Sequence, residues 1–190
     1  ALGAPEHRKE MAAVLHQRGE VVTGSDLRIS RYVAPLVDDG VEVHRSHDAA
    51  NLGDPEVVVV STAIPQDNPE LVAAVERGIP VWPRARMLAE LAGNRTCIAI
   101  AGTHGKTTTS SMAAWIMTRM NLDPTFVVGG EVKGLGGTAH AGTGPFYVVE
   151  ADESDGSFTH LVPDVSVVLN IEAEHLDYYA DEAAVLEAFR

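Results

Sequence analysis

Short apolar runs alternate along this chain with segments whose apolar residues recur at helical spacing. The clearest apolar runs are VVVV at 57–60, TCIAIA at 96–101, FYVVEA at 146–151 and VSVVLN at 165–170. Runs of this length, rich in Val and Ile, are typical of buried strands in a mainly parallel sheet. Strands that alternate with helices predict an α/β fold.

The first half of the chain contains four predicted helices and four predicted strands. The helices span 5–18, 31–39, 68–77 and 84–92, and the strands span 20–23, 41–44, 57–60 and 79–82. Pro5 and Pro69 suit first helical turns, and Gly19 suits a helix end. The strand at 57–60 is expected to be fully buried, and the strand at 79–82 to lie at an edge.

A second strand–loop–helix unit begins at Thr96, so the sequence places a domain boundary at Gly93 and Asn94. This unit has predicted strands at 96–101, 125–128, 146–151 and 165–170, a long helix to about residue 120 and a last helix from about residue 181. The predicted fold is a Rossmann-like N-terminal domain, 1–93, followed by a mainly parallel α/β ATPase domain, 94–190. An absent opening strand and a helix in progress at Arg190 predict that both ends are cut.

The charge balance narrows the range of partners. The chain has 14 Lys and Arg against 27 Asp and Glu, a net charge of -13, so a general nucleic-acid role is not expected. Backbone N–H groups and a single lysine can still build a local phosphate site. The apolar runs fall short of the ~20 residues of a membrane span, and no signal-peptide pattern opens the chain. Oligomeric state stays open.

The single cysteine, Cys97, lies in a predicted strand. A buried structural thiol is therefore expected rather than a catalytic one. One cysteine cannot form an internal disulfide, which predicts a reducing, cytoplasmic location.

The strongest local motif is GTHGKTTT at 102–109, which follows a predicted buried strand and opens a helix. Glycines let backbone N–H groups turn toward phosphate oxygens, and the helix N-terminus adds its dipole. Lys106 can reach the β- and γ-phosphates, and the Thr107 hydroxyl can ligate Mg²⁺. Two residues, instead of the usual four, separate Gly102 from the Gly-Lys pair. The predicted ATP-binding residues are Gly102, Thr103, His104, Gly105, Lys106, Thr107 and Thr108.

The alternative interpretation of this motif is a Gly-rich turn with an ordinary surface lysine. The order of strand, loop, Lys-Thr pair and helix disfavours that alternative, because a P-loop requires this context.

Acidic residues follow the predicted strand at 146–151, in the sequence EADESD at 150–155. Ligands bind at the carboxyl edge of open α/β sheets, and Mg²⁺ takes carboxylate and phosphate oxygens together. Glu150, Asp152 and Glu153 are all candidates, and Glu150 is favoured because it continues the strand. A solvated acidic loop is the alternative. His175 follows the predicted strand at 165–170 and is expected at the same edge.

Several motifs together resemble the Mur ligases, the ATP-dependent amide-forming enzymes of bacterial cell-wall synthesis. The branch that adds L-alanine to UDP-N-acetylmuramate is the most similar. The resemblance rests on the loop at 102–109, DPTFVVGG at 123–130, EADESDGSF at 150–158, NIEAEHLD at 170–177, GSD at 24–26, VSTAIP at 60–65, NPE at 68–70 and PRARMLAEL at 83–91.

This resemblance implies a ligase that uses ATP and Mg²⁺, with UDP-N-acetylmuramate and L-alanine as substrates and an acyl phosphate as intermediate. Lys106 and His104 are the implied catalytic residues, Lys106 on the β- and γ-phosphates and His104 on the sugar-borne carboxylate. Thr107 would hold one Mg²⁺, and Glu150 and His175 a second. Asp26 and Ser61, in the segments similar to the UDP-sugar domain, are candidate substrate-binding residues.

One segment departs from the family pattern. The stretch LGAPEHRK at 2–9 keeps only Gly3 of the Gly-rich loop that binds the UDP diphosphate in the family. A carboxylate at Glu6 would repel a diphosphate, so UDP-sugar binding through this loop is not expected. The family's third domain is expected to be absent from this chain.

Two other functions stay open. One is a peptide-recycling ligase that adds a tripeptide to the same UDP-sugar and shares the Thr-His-Gly-Lys-Thr loop. That family differs at Ala151, Ser154 and Gly156. The other is a non-catalytic nucleotide-binding module.

Overall fold

The computed structural model describes residues 8–27, 33–61, 64–154, 156–175 and 178–189. It forms two compact units, Ala1–Met87 and Leu88–Arg190. The division falls inside a helix, Arg84–Glu90, a few residues before the Gly93-Asn94 turn at which the sequence places the boundary. The divergent first loop, residues 2–7, lies outside the described residues.

The first unit alternates short helices and three-residue strands. Its elements are α1 (Arg8–Gln17), β1 (Thr23–Ser25), α2 (Ala34–Asp38), β2 (Glu42–His44), β3 (Val58–Val60), α3 (Pro69–Glu76), β4 (Val81–Pro83) and α4 (Arg84–Glu90). β1 pairs with β2 and β3 pairs with β4, and both pairs are parallel. Asn68 caps α3 by accepting from the N–H groups of Glu70 and Leu71, with Pro69 in the first turn as predicted.

Two strand predictions in this unit are wrong in detail. The strand expected at 20–23 begins only at Thr23, where pairing with Glu42 starts, and Val21 is 96% exposed. The strand β3 is half-buried rather than fully buried. Among the described residues it pairs with β4 alone, so it has a strand neighbour on one side only.

The second unit contains one five-stranded sheet. Its elements are β5 (Thr96–Ala101), α5 (Lys106–Arg119), β6 (Thr125–Val132), β7 (Gly137–His140), β8 (Phe146–Glu150), β9 (Val165–Val168) and α6 (Glu182–Ala188). The strand order is β7-β6-β8-β5-β9, and every pair is parallel except β6 with β7. The carboxyl ends of β5, β6, β8 and β9 therefore meet at one edge.

The core of this unit lies around β8 and α5. Tyr147, Val148 and Val149 are 0% exposed, and Ala114 of α5 packs with Phe126 and Val148. Cys97 is 3% exposed in β5, which confirms a buried strand thiol. Burial and then the nearby Asp164 raise the pKa of this thiol to about 11. None of the helices in the described part of the chain is both long and apolar enough to cross a membrane.

Candidate nucleotide site

The loop between β5 and α5 is shaped by two glycines with positive φ, Gly102 at +123° and Gly105 at +86°. A Cβ at Gly102 would lie 2.7 Å from the carbonyl oxygen of Asn170, so the loop passes the end of β9 too closely for a side chain. Gly105 is the N-cap residue of α5, and no side chain at this position accepts a hydrogen bond from the first helical N–H groups. The first N–H groups of such a helix are the groups that bind phosphate. Thr108 lies exposed in this first turn.

Asn170 fastens this loop to the end of β9. Its Oδ1 accepts from the His104 N–H at 2.8 Å, and its Nδ2 donates to the His104 carbonyl at 2.9 Å. The Thr103 N–H donates to the Asn170 carbonyl at 3.2 Å, and the Thr103 hydroxyl accepts from the Glu172 N–H at 2.9 Å. The Asn170 amide thus takes the place of a backbone partner for the loop, because it bonds both the N–H and the carbonyl of His104.

The Lys106 ammonium is bound within the protein. It donates to the Gly102 carbonyl at 2.7 Å and to the Thr103 carbonyl at 3.4 Å. It also lies 3.1 Å and 3.0 Å from the two carboxylate oxygens of Glu153. The Glu153 side chain is 2% exposed, and the Tyr179 hydroxyl donates to the Glu153 carbonyl at 2.7 Å. A buried, charge-assisted contact of this kind fixes the direction of the lysine side chain.

Thr107 and Glu150 form a hydrogen-bonded pair of oxygen-bearing side chains beside the loop. The Thr107 hydroxyl donates to Glu150 Oε1 at 2.8 Å, and the Gly129 N–H donates to Glu150 Oε2 at 2.7 Å. A Cβ at Gly129 would lie 2.9 Å from Glu150 Oε2, and one at Gly130 would lie 2.9 Å from Thr107 Cγ2. The two glycines of β6 therefore leave the space that the pair occupies.

This pair fits Mg²⁺. Both donors are oxygens, which this hard cation prefers. Neighbouring ligands of an octahedral Mg²⁺ with bonds of about 2.1 Å lie about 3 Å apart, close to the 2.8 Å between Thr107 Oγ1 and Glu150 Oε1. Among the described residues no three His, Cys, Asp or Glu side chains are grouped to hold a metal. A Mg²⁺ that also takes water and phosphate oxygens needs only one or two carboxylates from the protein.

The two histidines lie on either side of this pair in the sequence and contact different carboxylates. His175, in the left-handed region at φ +57°, places Nε2 4.0 Å from Glu153 Oε1. Because Lys106 contacts the same carboxylate, His175 and Lys106 lie at the same end of the sheet. The His104 side chain is 61% exposed, and its Nε2 lies 3.8 Å from Glu172 and 3.7 Å from Glu174.

In the first unit, Asp26 and Ser61 each follow a strand. The Asp26 N–H donates to the His44 carbonyl at 2.8 Å, and the Ser61 carbonyl accepts from the Ile64 N–H at 3.1 Å. Both contacts are made by the backbone, and a role of either residue in substrate binding stays a prediction.

A buried polar cluster, defined here as Ser25, His47 and Glu70, lies beside Asp26. The Ser25 hydroxyl donates to Glu70 Oε2 at 2.5 Å. His47 Nδ1 lies 3.0 Å from that hydroxyl and 3.4 Å from the same carboxylate oxygen. Ser25 and Glu70 both contact Nδ1 of His47, whereas a nucleophilic relay uses both ring nitrogens. These contacts therefore favour a structural hydrogen-bonded group over a relay.

Comparison with known families agrees with this arrangement. The profile described as "Mur ligase family, catalytic domain" matches residues 8–96, and the profile of the Mur ligase middle domain matches residues 100–190. This chain belongs to the Mur ligase family.

Two curated Mur ligases that are similar to this chain have the same name. The UDP-N-acetylmuramate–L-alanine ligase of Agrobacterium fabrum is 54% identical over 180 residues, covering 95% of this chain and 38% of that protein. The enzyme of the same name from Syntrophotalea carbinolica is 50% identical over 179 residues, covering 94% of this chain and 39% of that protein. The chain thus spans about two fifths of the length of these Mur ligases.

Solved Mur ligase structures share the fold. The UDP-N-acetylmuramate:L-alanyl-γ-D-glutamyl-meso-diaminopimelate ligase of Neisseria meningitides matches with a TM-score of 0.87 and 29% identity, over 98% of this chain and 64% of that one. The UDP-N-acetylmuramate–alanine ligase of Thermotoga maritima matches with a TM-score of 0.84 and 30% identity, over 95% of this chain and 43% of that one. These matches confirm the predicted α/β class, with parallel sheets in both Mur ligase units.

The structure brings most of the predicted Mur ligase site residues together at one sheet edge. Gly129 and Asn170 contact them and were not singled out from the sequence. Glu153, predicted only as a candidate metal ligand, contacts Lys106. Gly129 had a signal in the paired glycines at 129–130, which are unusual inside a strand and mark a close approach. Asn170 had one in the polar amide that ends an apolar run.

Proposed function

We propose that this chain is the UDP-sugar and nucleotide part of an ATP-dependent ligase that joins L-alanine to UDP-N-acetylmuramate through an acyl phosphate. The observation that carries the proposal is the placement of Lys106, Thr107 and Glu150 around the N-terminus of α5. That arrangement combines a cation for phosphate, oxygen donors for Mg²⁺ and uncapped helical N–H groups. The buried free thiol of Cys97 fits a cytoplasmic location.

The residues in this proposal act by binding and by neutralising charge. Lys106 and the N–H groups of residues 105–108, in the first turn of α5, hold the β- and γ-phosphates of ATP. Thr107 and Glu150 would hold Mg²⁺, which when bound neutralises charge on the phosphate oxygens. His175 and Glu150 would hold a second Mg²⁺, and His104 would orient the sugar-borne carboxylate. Asp26 and Ser61 remain candidates for contacts with UDP-N-acetylmuramate.

The reaction that these residues would serve has two steps. The carboxylate oxygen of UDP-N-acetylmuramate attacks the γ-phosphorus of ATP, and ADP leaves with the electron pair of the broken P–O bond. The amine of L-alanine then attacks the acyl carbon, loses a proton and expels phosphate. Both steps depend on holding anions close together, which the positive groups of the loop make possible.

A tripeptide ligase is the second candidate, because the Neisseria meningitides structure has a TM-score of 0.87. Backbone similarity does not separate the two candidates, since the Thermotoga maritima alanine ligase scores 0.84. Sequence identity to the two solved structures does not separate them either, at 30% and 29%. The support for L-alanine comes from the relatives at 54% and 50% identity, which are both named alanine ligases. We therefore place L-alanine first.

Two chimeras test this proposal. In one, the chain replaces the matching segment of the Agrobacterium fabrum alanine ligase. In the other, it replaces the matching segment of the Neisseria meningitides tripeptide ligase. We expect amine-dependent phosphate release from ATP and UDP-N-acetylmuramate only in the alanine-ligase chimera, and none after Lys106→Ala. Activity only in the tripeptide chimera would favour the second candidate, and two folded but inactive chimeras would contradict both.

A further inference from the structure

The Lys106 ammonium has three N–H donors, and the protein itself supplies three acceptor groups for them. These acceptors are the Gly102 carbonyl, the Thr103 carbonyl and the Glu153 carboxylate. The lysine side chain is 14% exposed and the Glu153 side chain 2%. A phosphate that binds Lys106 must therefore share the ammonium with a buried carboxylate or displace that carboxylate.

We propose that Glu153 is a positioning residue that competes with phosphate for Lys106. Its carboxylate pairs with the ammonium as an anionic ligand would, and so restrains the lysine side chain. The inference rests on the proposed nucleotide site and assigns to Glu153 a part in setting its affinity. Glu150 differs from Glu153 in its partners, because it accepts from the Thr107 hydroxyl and the Gly129 N–H. The proposed role of Glu150 is also different, since it would hold Mg²⁺.

The surroundings of Glu153 explain why the restraint is strong. The Tyr179 hydroxyl holds the Glu153 carbonyl at 2.7 Å, which fixes the segment that carries the carboxylate. At such low exposure, water does not screen the ion pair effectively. When a phosphate binds the Lys106 ammonium, the Glu153 carboxylate lies close to phosphate oxygens of like charge. The repulsion between these negative groups opposes phosphate binding.

The test is the affinity of the 190-residue chain for ATP, measured by isothermal titration calorimetry in EDTA. Glu153→Gln keeps the shape of the side chain and removes its charge, so we expect it to bind ATP about tenfold more tightly. Inorganic tripolyphosphate should bind more tightly to the same variant, whereas adenosine, which has no phosphate, should show no change. A merely structural role would weaken the binding of all three or change none.

Glu131→Gln is the matched control. It makes the same change of glutamate to glutamine at an exposed position of β6. We expect its ATP affinity to stay within about twofold of the wild type, because Coulomb effects of exposed groups are screened. Equal tightening in both variants would overturn the inference, since it would assign the effect to the net charge of the whole unit.

Glu153→Asp covers the case in which Glu153→Gln fails to fold. It keeps the charge but retracts the carboxylate from the ammonium, so tighter ATP binding of smaller size is expected. Unchanged or weaker ATP binding in either folded variant overturns the inference while leaving the nucleotide site in place. Binding by Glu153→Gln without measurable binding by the wild type supports it. Absence of ATP binding in every variant overturns both the inference and the nucleotide site.

Discussion

Both units of this chain place polar side chains at the carboxyl ends of parallel strands, but the two groups differ in what they leave open. In the first unit, Ser25, His47 and Glu70 bond one another around a single carboxylate oxygen. In the second, Lys106 and Thr107 lie at the start of a 14-residue helix whose N-cap makes no side-chain bond. The members of the first group contact one another, whereas the second group lies beside helical N–H groups of the kind that bind anions in proteins.

The comparison teaches that buried charge alone does not identify a ligand site. Glu70 and Glu153 are both buried carboxylates with hydrogen-bonding partners. Only Glu153 has a partner, Lys106, that follows a loop with two positive-φ glycines. We expect substitutions in the two groups to have different effects: loss of nucleotide binding in the second unit and loss of stability in the first.

The largest effect is expected from Lys106→Ala. Removing the ammonium should lower the affinity for ATP by about a hundredfold, since a charge-assisted contact to phosphate is lost. The melting temperature should also fall, because the buried Glu153 carboxylate loses its partner. Calorimetry at a temperature where the variant is folded measures the first effect. Lys133→Ala, an exposed lysine of the same unit, is the control, and wild-type affinity in Lys106→Ala would reject the phosphate loop.

A smaller effect, about tenfold, is expected from Glu150→Gln, and only in the presence of Mg²⁺. The amide keeps an acceptor for the Thr107 hydroxyl but lacks the charge that a divalent cation requires. The measurement is the ratio of ATP affinities with Mg²⁺ and with EDTA. Glu131→Gln, at an exposed position of β6, should leave that ratio unchanged. An unaltered ratio in Glu150→Gln would remove this residue from the metal site.

For the first unit, Glu70→Gln should destabilise the fold by about 1.5–3 kcal/mol, the range for a hydrogen bond to a charged group. Its ATP affinity should equal that of the wild type if the two groups differ as we describe. Urea unfolding measures the free energy, and Glu76→Gln, exposed on the same helix α3, is the control. A stable Glu70→Gln variant with altered ATP binding would break the comparison.

The smallest effect is expected at Asp123, just before the amino end of β6 and thus away from the edge that carries the loop. Hydrogen bonds from the Thr143 N–H, His140 and the Thr143 hydroxyl lower the pKa of Asp123 from 3.8 to about 2. The resulting stability is present above pH 3.8 and is lost as the pH falls toward about 2. Because the side chain is 44% exposed, the contribution is small, below about 1 kcal/mol.

The variant Asp123→Asn checks this dependence. The difference between its urea midpoint and that of the wild type should be steady at neutral pH and should shrink between pH 4 and 2. A difference that persists unchanged at the low end would show that the contacts of Asp123 do not depend on its charge. ATP binding should be the same in both proteins at neutral pH.

The sequence predicted the second unit better than the first, for a physical reason. β5 and β8 are continuous apolar runs buried in the middle of a five-stranded sheet, and their pattern is therefore strong. The strands of the first unit have three residues each, so one displaced residue is a large error. β7 was missed because Gly137, Ala139 and His140 have weak strand preference, and pairing with β6 is what makes the segment a strand.

The candidate site divides in a similar way. The placement of Lys106, Thr107 and Glu150 could be predicted, because each lies beside a strand or helix end that a local motif marks. The contact between Lys106 and Glu153 joins residues 47 positions apart, and tertiary packing decides which carboxylate of the acidic segment turns inward. The ligand-binding roles of all these residues, and of His104, His175, Asp26 and Ser61, stay predictions, since they concern ligands that the protein's internal contacts do not define.

The fastening of the loop by Asn170 has a consequence for the order in which the protein matures during synthesis. Residues 102–108 are complete early, yet both side-chain bonds that hold His104 come from a residue 66 positions later. Domains fold as units as the chain emerges from its N-terminal end. A nascent chain that has β5 and α5 but not β9 therefore lacks the support for its phosphate loop. Nucleotide capture should begin only after the strand that ends at Val168 has docked, so that ATP would be a ligand of intermediates that contain β9 and not of earlier ones.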